Sequence, residues 1–309
     1  MKSLITGASG FLGKHLTAYL LSKGQTVYAA APRQTKTEGL NESSLIRIAL
    51  DMTDRQRVSR FVGKIKPDFV FHLAAQSLVM PSWKDPDHTF QVNVMGSIHL
   101  LDAIVKAKIK PTILVACSSA EYKSTGSGKP IREENPLEPA SPYGISKLAQ
   151  DHLAQLYFNR YGLKIIRMRP FLVIGPGKKQ DVCSHFAQGI TAIERGDQKV
   201  LKVGNLKAIR DFLDVHDATV AMWKMVTKGK AGAVYNLCSG KGTTISQILQ
   251  RMINLAGRKI RVVHDPSRLR PLDEPIRIGS NRKLLALGWK PQRAMDDTLR
   301  EILDYWRKS

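Results

Sequence analysis

The segment Tyr143-Gly144-Ile145-Ser146-Lys147 sets a phenol and an ammonium four residues apart, on one face of a helix. A neighbouring positive charge stabilises a phenolate, so the pair predicts a tyrosine with its pKa lowered toward neutrality, a general acid/base. Ser118, in Cys117-Ser118-Ser119-Ala120-Glu121-Tyr122 at the end of a fifth predicted strand, offers a hydroxyl to a substrate oxygen beside that tyrosine. A Tyr-x-x-x-Lys spacing alone occurs on many solvated helices. The reading gains weight from Thr6-Gly7-Ala8-Ser9-Gly10-Phe11-Leu12-Gly13, a G-x-x-G-x-x-G turn directly after the first predicted strand. Gly7 permits the tight turn, Gly10 lets backbone approach a pyrophosphate at the positive end of a helix, and Gly13 allows helix and sheet to pack closely. Phe11 and Leu12 belong to the same candidate cofactor segment. Together these residues predict a dinucleotide site with a general acid/base beside it.

The cofactor type is read from the second strand. An NAD site wants a carboxylate there for the adenosine ribose, but the chain runs Val27-Tyr28-Ala29-Ala30-Ala31-Pro32-Arg33. Nothing repels a 2′-phosphate and Arg33 is available to bind it, so NADP (as NADPH) is favoured and NAD stays possible; the alternative for Arg33 is a solvated loop. Asp51-Met52 offers adenine a carboxylate acceptor and a soft apolar side chain, or else Asp51 caps the helix near Arg55. His72, His88, His99, His152, His185 and His216 share no metal-ligand spacing, and no metal is expected. Asp214, His216 and Asp217 read as caps of a helix start rather than as a catalytic set.

The elements that must position these residues alternate short β-rich runs with amphipathic segments, the pattern of an α/β fold with a doubly wound parallel sheet. Strands are predicted at 2–6, 26–31, 45–48, 69–73, 113–118 and 165–171. Helices begin near Gly10, Arg55, Asp87 and Pro142, the last with Ser141 as N-cap. Beyond Gly175-Pro176-Gly177 the rhythm loosens. A helix near 182–194, a strand-like 199–203, a return segment near 216–236 and helices near 245–256 and 296–307 suggest a smaller, interleaved α/β substrate lobe. The division expected is 1–171 with about 214–236 for the Rossmann domain, and about 172–213 with 237–309 for the smaller substrate lobe.

A chain of 309 residues is long enough for a sizeable core. No apolar run reaches the roughly 20 residues that cross a bilayer, so no membrane partner is expected. The start shows no signal peptide, and Cys117, Cys183 and Cys238 are odd in number and far apart, which together predict a reducing, cytoplasmic setting. Charge is the abnormal feature: Lys+Arg 48 against Asp+Glu 26 gives +22, concentrated between Arg258 and Arg293. Such an excess attracts anions, whether phosphorylated metabolite, nucleic acid or acidic lipid, or it is a solvated basic surface.

Gly7, Gly10, Gly13, Asp51-Met52, Leu73-Ala74-Ala75-Gln76-Ser77, Asn93, Ser118, Tyr143, Lys147, Arg169-Pro170-Phe171 and Arg210-Asp211-Phe212 resemble, in order, the landmarks of the extended short-chain dehydrogenase/reductase superfamily. Within it, Lys202-Val203-Gly204-Asn205-Leu206-Lys207-Ala208-Ile209-Arg210-Asp211-Phe212, Leu269-Arg270-Pro271 and Ile278-Gly279-Ser280-Asn281 are similar to the GDP-4-keto-6-deoxy-D-mannose reductases and GDP-mannose 4,6-dehydratases. The resemblance implies that Leu73, Ala74 and Ala75 line the cofactor and that Lys147 holds the nicotinamide ribose. It gives Arg210 and Arg270 the substrate diphosphate, Asp273 its ribose, and Gln76, Ser77 and Ser82 the hexose, with Ser119, Lys202 and Asn205 also at the substrate. It implies a homodimer through the Tyr143 helix, using Leu148, Leu153, Leu156 and Tyr157. Two positions depart from the family pattern: Leu172 stands where an asparagine is usual, and Asp273 replaces a glutamate. The activity implied is NADP-dependent reduction of the 4-keto group of GDP-4-dehydro-6-deoxy-D-mannose to a GDP-6-deoxyhexose, GDP-D-rhamnose being the expected product. A dehydratase, an epimerase and a non-catalytic nucleic-acid-binding member are the alternatives. Related dehydratases carry a carboxylate two residues after the catalytic hydroxyl, where this chain has Ala120.

Overall fold

The computed structural model describes residues 1–32, 42–124, 126–268 and 274–309. Its strands are β1 (Lys2–Thr6), β2 (Thr26–Ala31), β3 (Leu45–Ala49), β4 (Phe69–His72), β5 (Thr112–Ala116), β6 (Lys164–Pro170), β7 (Leu172–Ile174), β8 (Leu201–Val203), β9 (Ile209–Asp214), β10 (Val234–Leu237), β11 (Gly242–Thr244), β12 (Val262–His264) and β13 (Ile276–Arg277). Seven of them form one parallel sheet in the order β10-β6-β5-β4-β1-β2-β3. Helices cover both of its faces, which is why the central strands are continuously apolar rather than alternating. Their side chains divide by parity. Ile5, Phe71, Leu114 and Met168 enter one core layer with the helix Val215–Lys228, whereas Leu4, Val70, Ile113 and Ile165 enter the other with Val58, Val62, Leu100 and Ile104. A third core joins the helices Val182–Arg195, Ile245–Ala256 and Met295–Arg307 in the smaller lobe, around β9, which pairs with β7, β11 and β13.

The order of the sheet reverses beside β1, with β2 on one side and β4 on the other. Connections therefore leave in opposite directions there and open a crevice at the carboxyl ends of β1 and β4. Into it run the glycine turn after β1, Leu73-Ala74-Ala75 after β4 and Ser118 after β5.

The six strands expected in the first part of the chain form, with ends displaced by at most two residues, and Ser141 caps the helix Pro142–Tyr161 through the Gly144 N–H at 3.1 Å. The expected helix near Asp87 is instead a succession: Val79–Lys84, Pro86–Phe90, a π turn Gln91–Met95 and Gly96–Lys106. Pro81 and Pro86 break the periodicity that would reveal it. Asp54, not Asp51, caps the helix Arg55–Ile65 by accepting the Arg57 N–H at 2.9 Å. Asp214 caps the helix Val215–Lys228 as expected, accepting from the backbone of His216 and Asp217.

Candidate active site

Gly7 lies in the left-handed region, φ 73°, and a β-carbon on it would sit 2.7 Å from the Ala74 nitrogen, so only glycine lets the β1 and β4 loops touch. A β-carbon on Gly13 would sit 2.3 Å from the Gly7 carbonyl oxygen. The helix Phe11–Ser22 begins at Gly10 without a side-chain cap, and a β-carbon on Gly10 would meet only the Gly7 oxygen at 3.2 Å. Uncapped backbone N–H groups beside an open glycine suit a pyrophosphate, so these residues fit a dinucleotide. Phe11 lies under the Lys178 ammonium, 5.5 Å from its ring centre, while Leu12 packs on the sheet core. Met52 is buried in the second core layer, and the exposed Asp51 accepts from Thr53 N–H and Oγ1. Arg33, Arg270 and Asp273 lie outside the described residues.

Ser118 is extended, φ −158° and ψ 148°, and begins a one-turn helix in which its Oγ accepts the Ala120 N–H at 3.1 Å. Glu121 closes that turn: its Oε1 accepts the Ser118 N–H at 2.7 Å. Its Oε2 lies 3.1 Å from Arg169 Nε, but that N–H is directed to Asp151 Oδ2 at 3.0 Å, leaving Glu121 Oε2 without an aligned hydrogen bond. Burial first, and Asp151 second, therefore raise the Glu121 pKa. Burial would also raise the Asp151 carboxyl, but Arg169 and Arg167 outweigh it and hold it low.

Tyr143 reaches the same place from the second residue of its helix. Its N–H donates to Ser82 Oγ at 3.1 Å, and its phenol shares a hydrogen bond with the Ser118 side chain. Burial dominates that bond and pushes the phenol up to about 12. The expected lowering by Lys147 is not seen, because the ammonium points elsewhere. It donates to the Ala116 carbonyl at 2.7 Å and to Gln150 Oε1 at 2.8 Å. Burial pulls the Lys147 pKa down to about 8.

The residues expected around the sugar separate into two groups. Ser82 is a correction: it is fully buried, donates to Val79 O and accepts from Tyr143 N–H, so it supports the tyrosine instead of facing a hexose. Gln76 also turns inward, its amide donating to Leu78 O and Thr89 Oγ1, with Ser77 exposed beside it. Lys202 is exposed on β8, and Asn205 Oδ1 accepts the Lys207 N–H. Half-buried Arg210 on β9 pairs in register with Arg277 on β13. Arg277, which sequence reasoning counted only among basic residues, bonds both Glu274 and the carbonyl of Ser119, tying the smaller lobe to the turn that Ser118 begins.

Gln150 was also missed; its place three residues after Lys147 on one helical face is the signal that would have found it. Asn93, in the π turn, accepts the Gln76 N–H and donates to Gln76 O and Ser146 Oγ, locking the β4 loop to the helix that carries Tyr143 and Lys147. Among the described residues two clusters bring metal-type donors together, Cys117/Glu121/Asp151 and Asp214/His216/Glu301. Arg169 lies against the first and Arg293 against the second. No helix of the described residues is long and apolar enough to cross a membrane.

A parallel doubly wound sheet with a glycine turn at its switch point and a Ser-Tyr-Lys set beside it defines a short-chain dehydrogenase/reductase of the extended type. The sequence model of the GDP-mannose 4,6-dehydratase family matches residues 4–302, and the chain belongs to that family. It is 34% identical over 306 residues to a GDP-6-deoxy-D-mannose reductase of Pseudomonas aeruginosa, covering 98% of this chain and 96% of the relative. It superposes on a structure of RMD from Pseudomonas aeruginosa complexed with NADPH, at TM-score 0.87, 32% identity and 99% coverage of each chain. It superposes also on the Thermus thermophilus UDP-glucose 4-epimerase complexed with NAD, at TM-score 0.89, 28% identity and 99% coverage of each chain. The chain is thus an enzyme type whose relatives are NAD(P)-dependent nucleotide-sugar reductases, dehydratases and epimerases.

Proposed function

We propose that the protein reduces the 4-keto group of GDP-4-dehydro-6-deoxy-D-mannose to a GDP-6-deoxyhexose, GDP-D-rhamnose, using NADPH. The cofactor supplies the hydride. Tyr143 holds a proton at its phenol oxygen and delivers it to the developing alkoxide, which a phenol kept protonated at neutral pH suits. Ser118 Oγ orients that oxygen, Lys147 holds the nicotinamide ribose, and Arg210 with Arg270 takes the diphosphate. In this reading Gly7, Gly10, Gly13 and Arg33 bind the pyrophosphate and the 2′-phosphate.

One observation carries the choice of reduction over dehydration. Dehydration needs a second base beside the carbonyl, but position 120 is alanine, and the next carboxylate, Glu121, is fully buried under Ser118 with Arg169 beside it. Reduction needs no such base. The test incubates purified protein separately with GDP-4-dehydro-6-deoxy-D-mannose plus NADPH and with GDP-mannose, following cofactor absorbance and sugar mass. Cofactor consumption with the keto sugar and no water loss from GDP-mannose is expected. A keto-deoxy sugar formed from GDP-mannose without net cofactor consumption would make the protein a dehydratase.

The proposal extends to the assembly and the lobes. Residues 1–171 with about 214–236 serve the cofactor and the remainder the sugar nucleotide, in a cytoplasmic homodimer joined along the Tyr143 helix, where Leu156 is 60% exposed. Three buried free cysteines suit a reducing compartment.

A further inference from the structure

One buried chain of hydrogen bonds runs from the catalytic helix to the glycine turn, and the direction of every proton in it follows from the partners. Ser97 Oγ has one proton, and it goes to the Asn93 carbonyl at 2.6 Å. Ser97 Oγ can therefore only accept from Gln150 Nε2 at 2.7 Å and from His72 Nε2 at 2.9 Å. His72 is thus the Nε2–H tautomer, with Nδ1 left to accept from Thr6 Oγ1 at 2.7 Å; Thr6 Oγ1 in turn accepts the Ala74 N–H at 3.3 Å. Burial keeps His72 neutral, its pKa pulled down to about 3. The same logic fixes the Gln150 amide, because a flip would set its NH2 against the Lys147 ammonium.

Lys147 has three N–H donors, and two of them are fixed by Ala116 O and Gln150 Oε1. On a tetrahedral nitrogen, two fixed bonds set the direction of the third. We infer that Gln150 is a positioning residue that aims the remaining N–H of Lys147 at the nicotinamide ribose and couples that aim, through Ser97 and His72, to Thr6 beneath the pyrophosphate turn. Thr6 and His72 are register partners on β1 and β4, so the chain crosses the switch point of the sheet at its shortest span. This inference rests on the reading of the site as a dinucleotide site but not on the identity of the sugar.

The other ionisable groups facing the ammonium are Cys117 at the end of β5, Glu121 on the following turn and His72 on β4, with Tyr143 one turn back on its own helix. All are retained in the test variants. NADPH binding is followed by cofactor fluorescence, without any sugar, in Gln150→Leu, Gln150→Glu, Thr6→Val and the Thr6→Val/Gln150→Leu pair. Gln150→Leu should weaken NADPH roughly tenfold or more, the scale of one hydrogen bond to a charge, whereas Gln150→Glu keeps an acceptor for Lys147 but loses the donor to Ser97 Oγ, and should bind between Gln150→Leu and the parent. Loss of binding at alkaline pH should begin at lower pH in Gln150→Leu and at higher pH in Gln150→Glu. The double variant should lose less than the product of the two single losses.

A cofactor-free arm follows the melting temperature of the apoprotein. The deficit of Gln150→Leu should be largest below about pH 8, where Lys147 is charged, and shrink above it as the lysine loses its proton. A wild-type affinity in Gln150→Leu, multiplicative losses, or a melting deficit independent of pH would overturn the inference. Should Gln150→Leu not fold, Ser97→Ala cuts the same chain one bond further on and takes its place. A wrong sugar assignment shows differently, as normal NADPH binding with no turnover.

Discussion

Ser118 and Glu121 hold each other in place: Glu121 Oε1 accepts the Ser118 N–H at 2.7 Å while Ser118 Oγ receives the Ala120 N–H inside the turn that Glu121 ends. The carboxyl next along from Ala120 is thus engaged in holding the turn that presents the hydroxyl. Glu121→Gln keeps that acceptor and removes a carboxyl already raised by burial and by Asp151, so it should fold and retain activity. Glu121→Ala leaves the Ser118 N–H unsatisfied, a loss of about 1–3 kcal/mol. Urea denaturation and turnover measured together check the contrast; equal behaviour of the two variants would remove Glu121 from the support of Ser118.

Gly13 is fixed by contact and not by backbone angle. A methyl group there would stand 2.3 Å from the Gly7 oxygen and 2.7 Å from the Ala8 α-carbon, both backbone atoms. Gly13→Ala must push the helix off the turn and should cost about 1–3 kcal/mol, with a larger loss of NADPH binding than of fold. Thermal melts and cofactor titration of the same preparation separate the two effects.

The sheet, the glycine turn and the Ser-Tyr-Lys set were legible because each is local: period, turn chemistry and i,i+4 spacing need no knowledge of distant partners. The direction of the Lys147 side chain was not. It depends on Gln150 and on a carbonyl of β5, and the charge logic that paired ammonium with phenol omitted the cost of burying both. Ser82 fails similarly, since nothing in its neighbours reveals that a helix 61 residues later lays an N–H on its hydroxyl. Of the small strands in the second lobe, the stretch 199–203 was legible and forms as Leu201–Val203, whereas runs such as Gly242–Thr244 carry no period and are set only by their partner β9.

His216 links the cap of the helix Val215–Lys228 to the last helix of the chain, its Nδ1 lying 3.2 Å from Asp214 Oδ1 and 3.8 Å from Glu301 Oε2. The Asp214 hydrogen bond raises its pKa against the opposing effect of burial. A histidine whose folded pKa is raised stabilises fully below its unfolded value and loses that contribution as pH rises through the folded one. His216→Gln should therefore lower the melting temperature near pH 6 and match wild type at pH 8. Half of the side chain is exposed, so the difference should be small and should diminish with salt. A pH-independent difference would mean packing, not charge.

Arg33 tests the choice of cofactor. With no carboxylate in Ala31-Pro32-Arg33, a guanidinium on the 2′-phosphate gives about 1.5–3 kcal/mol that NADH cannot gain. Arg33→Ala should weaken NADPH by at least tenfold and leave NADH unchanged. Equal losses in the two titrations would show that Arg33 does not read the phosphate.

Tyr143→Phe removes the proposed proton donor and, with it, the hydrogen bond between the phenol and the Ser118 side chain. The tyrosine backbone remains bonded to Ser82, and Ser118 keeps the bonds of its own turn, Oγ receiving the Ala120 N–H and its N–H donating to Glu121 Oε1. NADPH affinity should be unchanged and the melting temperature should fall only by the worth of one hydrogen bond, about 0.5–1.5 kcal/mol, while reduction falls by about 10²–10⁴-fold, the usual worth of general acid catalysis. The high phenol pKa adds a second expectation. Reduction uses the protonated phenol and should be flat through neutral pH, whereas the reverse oxidation needs the phenolate and should accelerate as pH rises. Stopped-flow cofactor absorbance in both directions measures this. A Tyr143→Phe enzyme that keeps near-normal reduction, or a wild type whose oxidation rate ignores pH, would transfer the proton to another group.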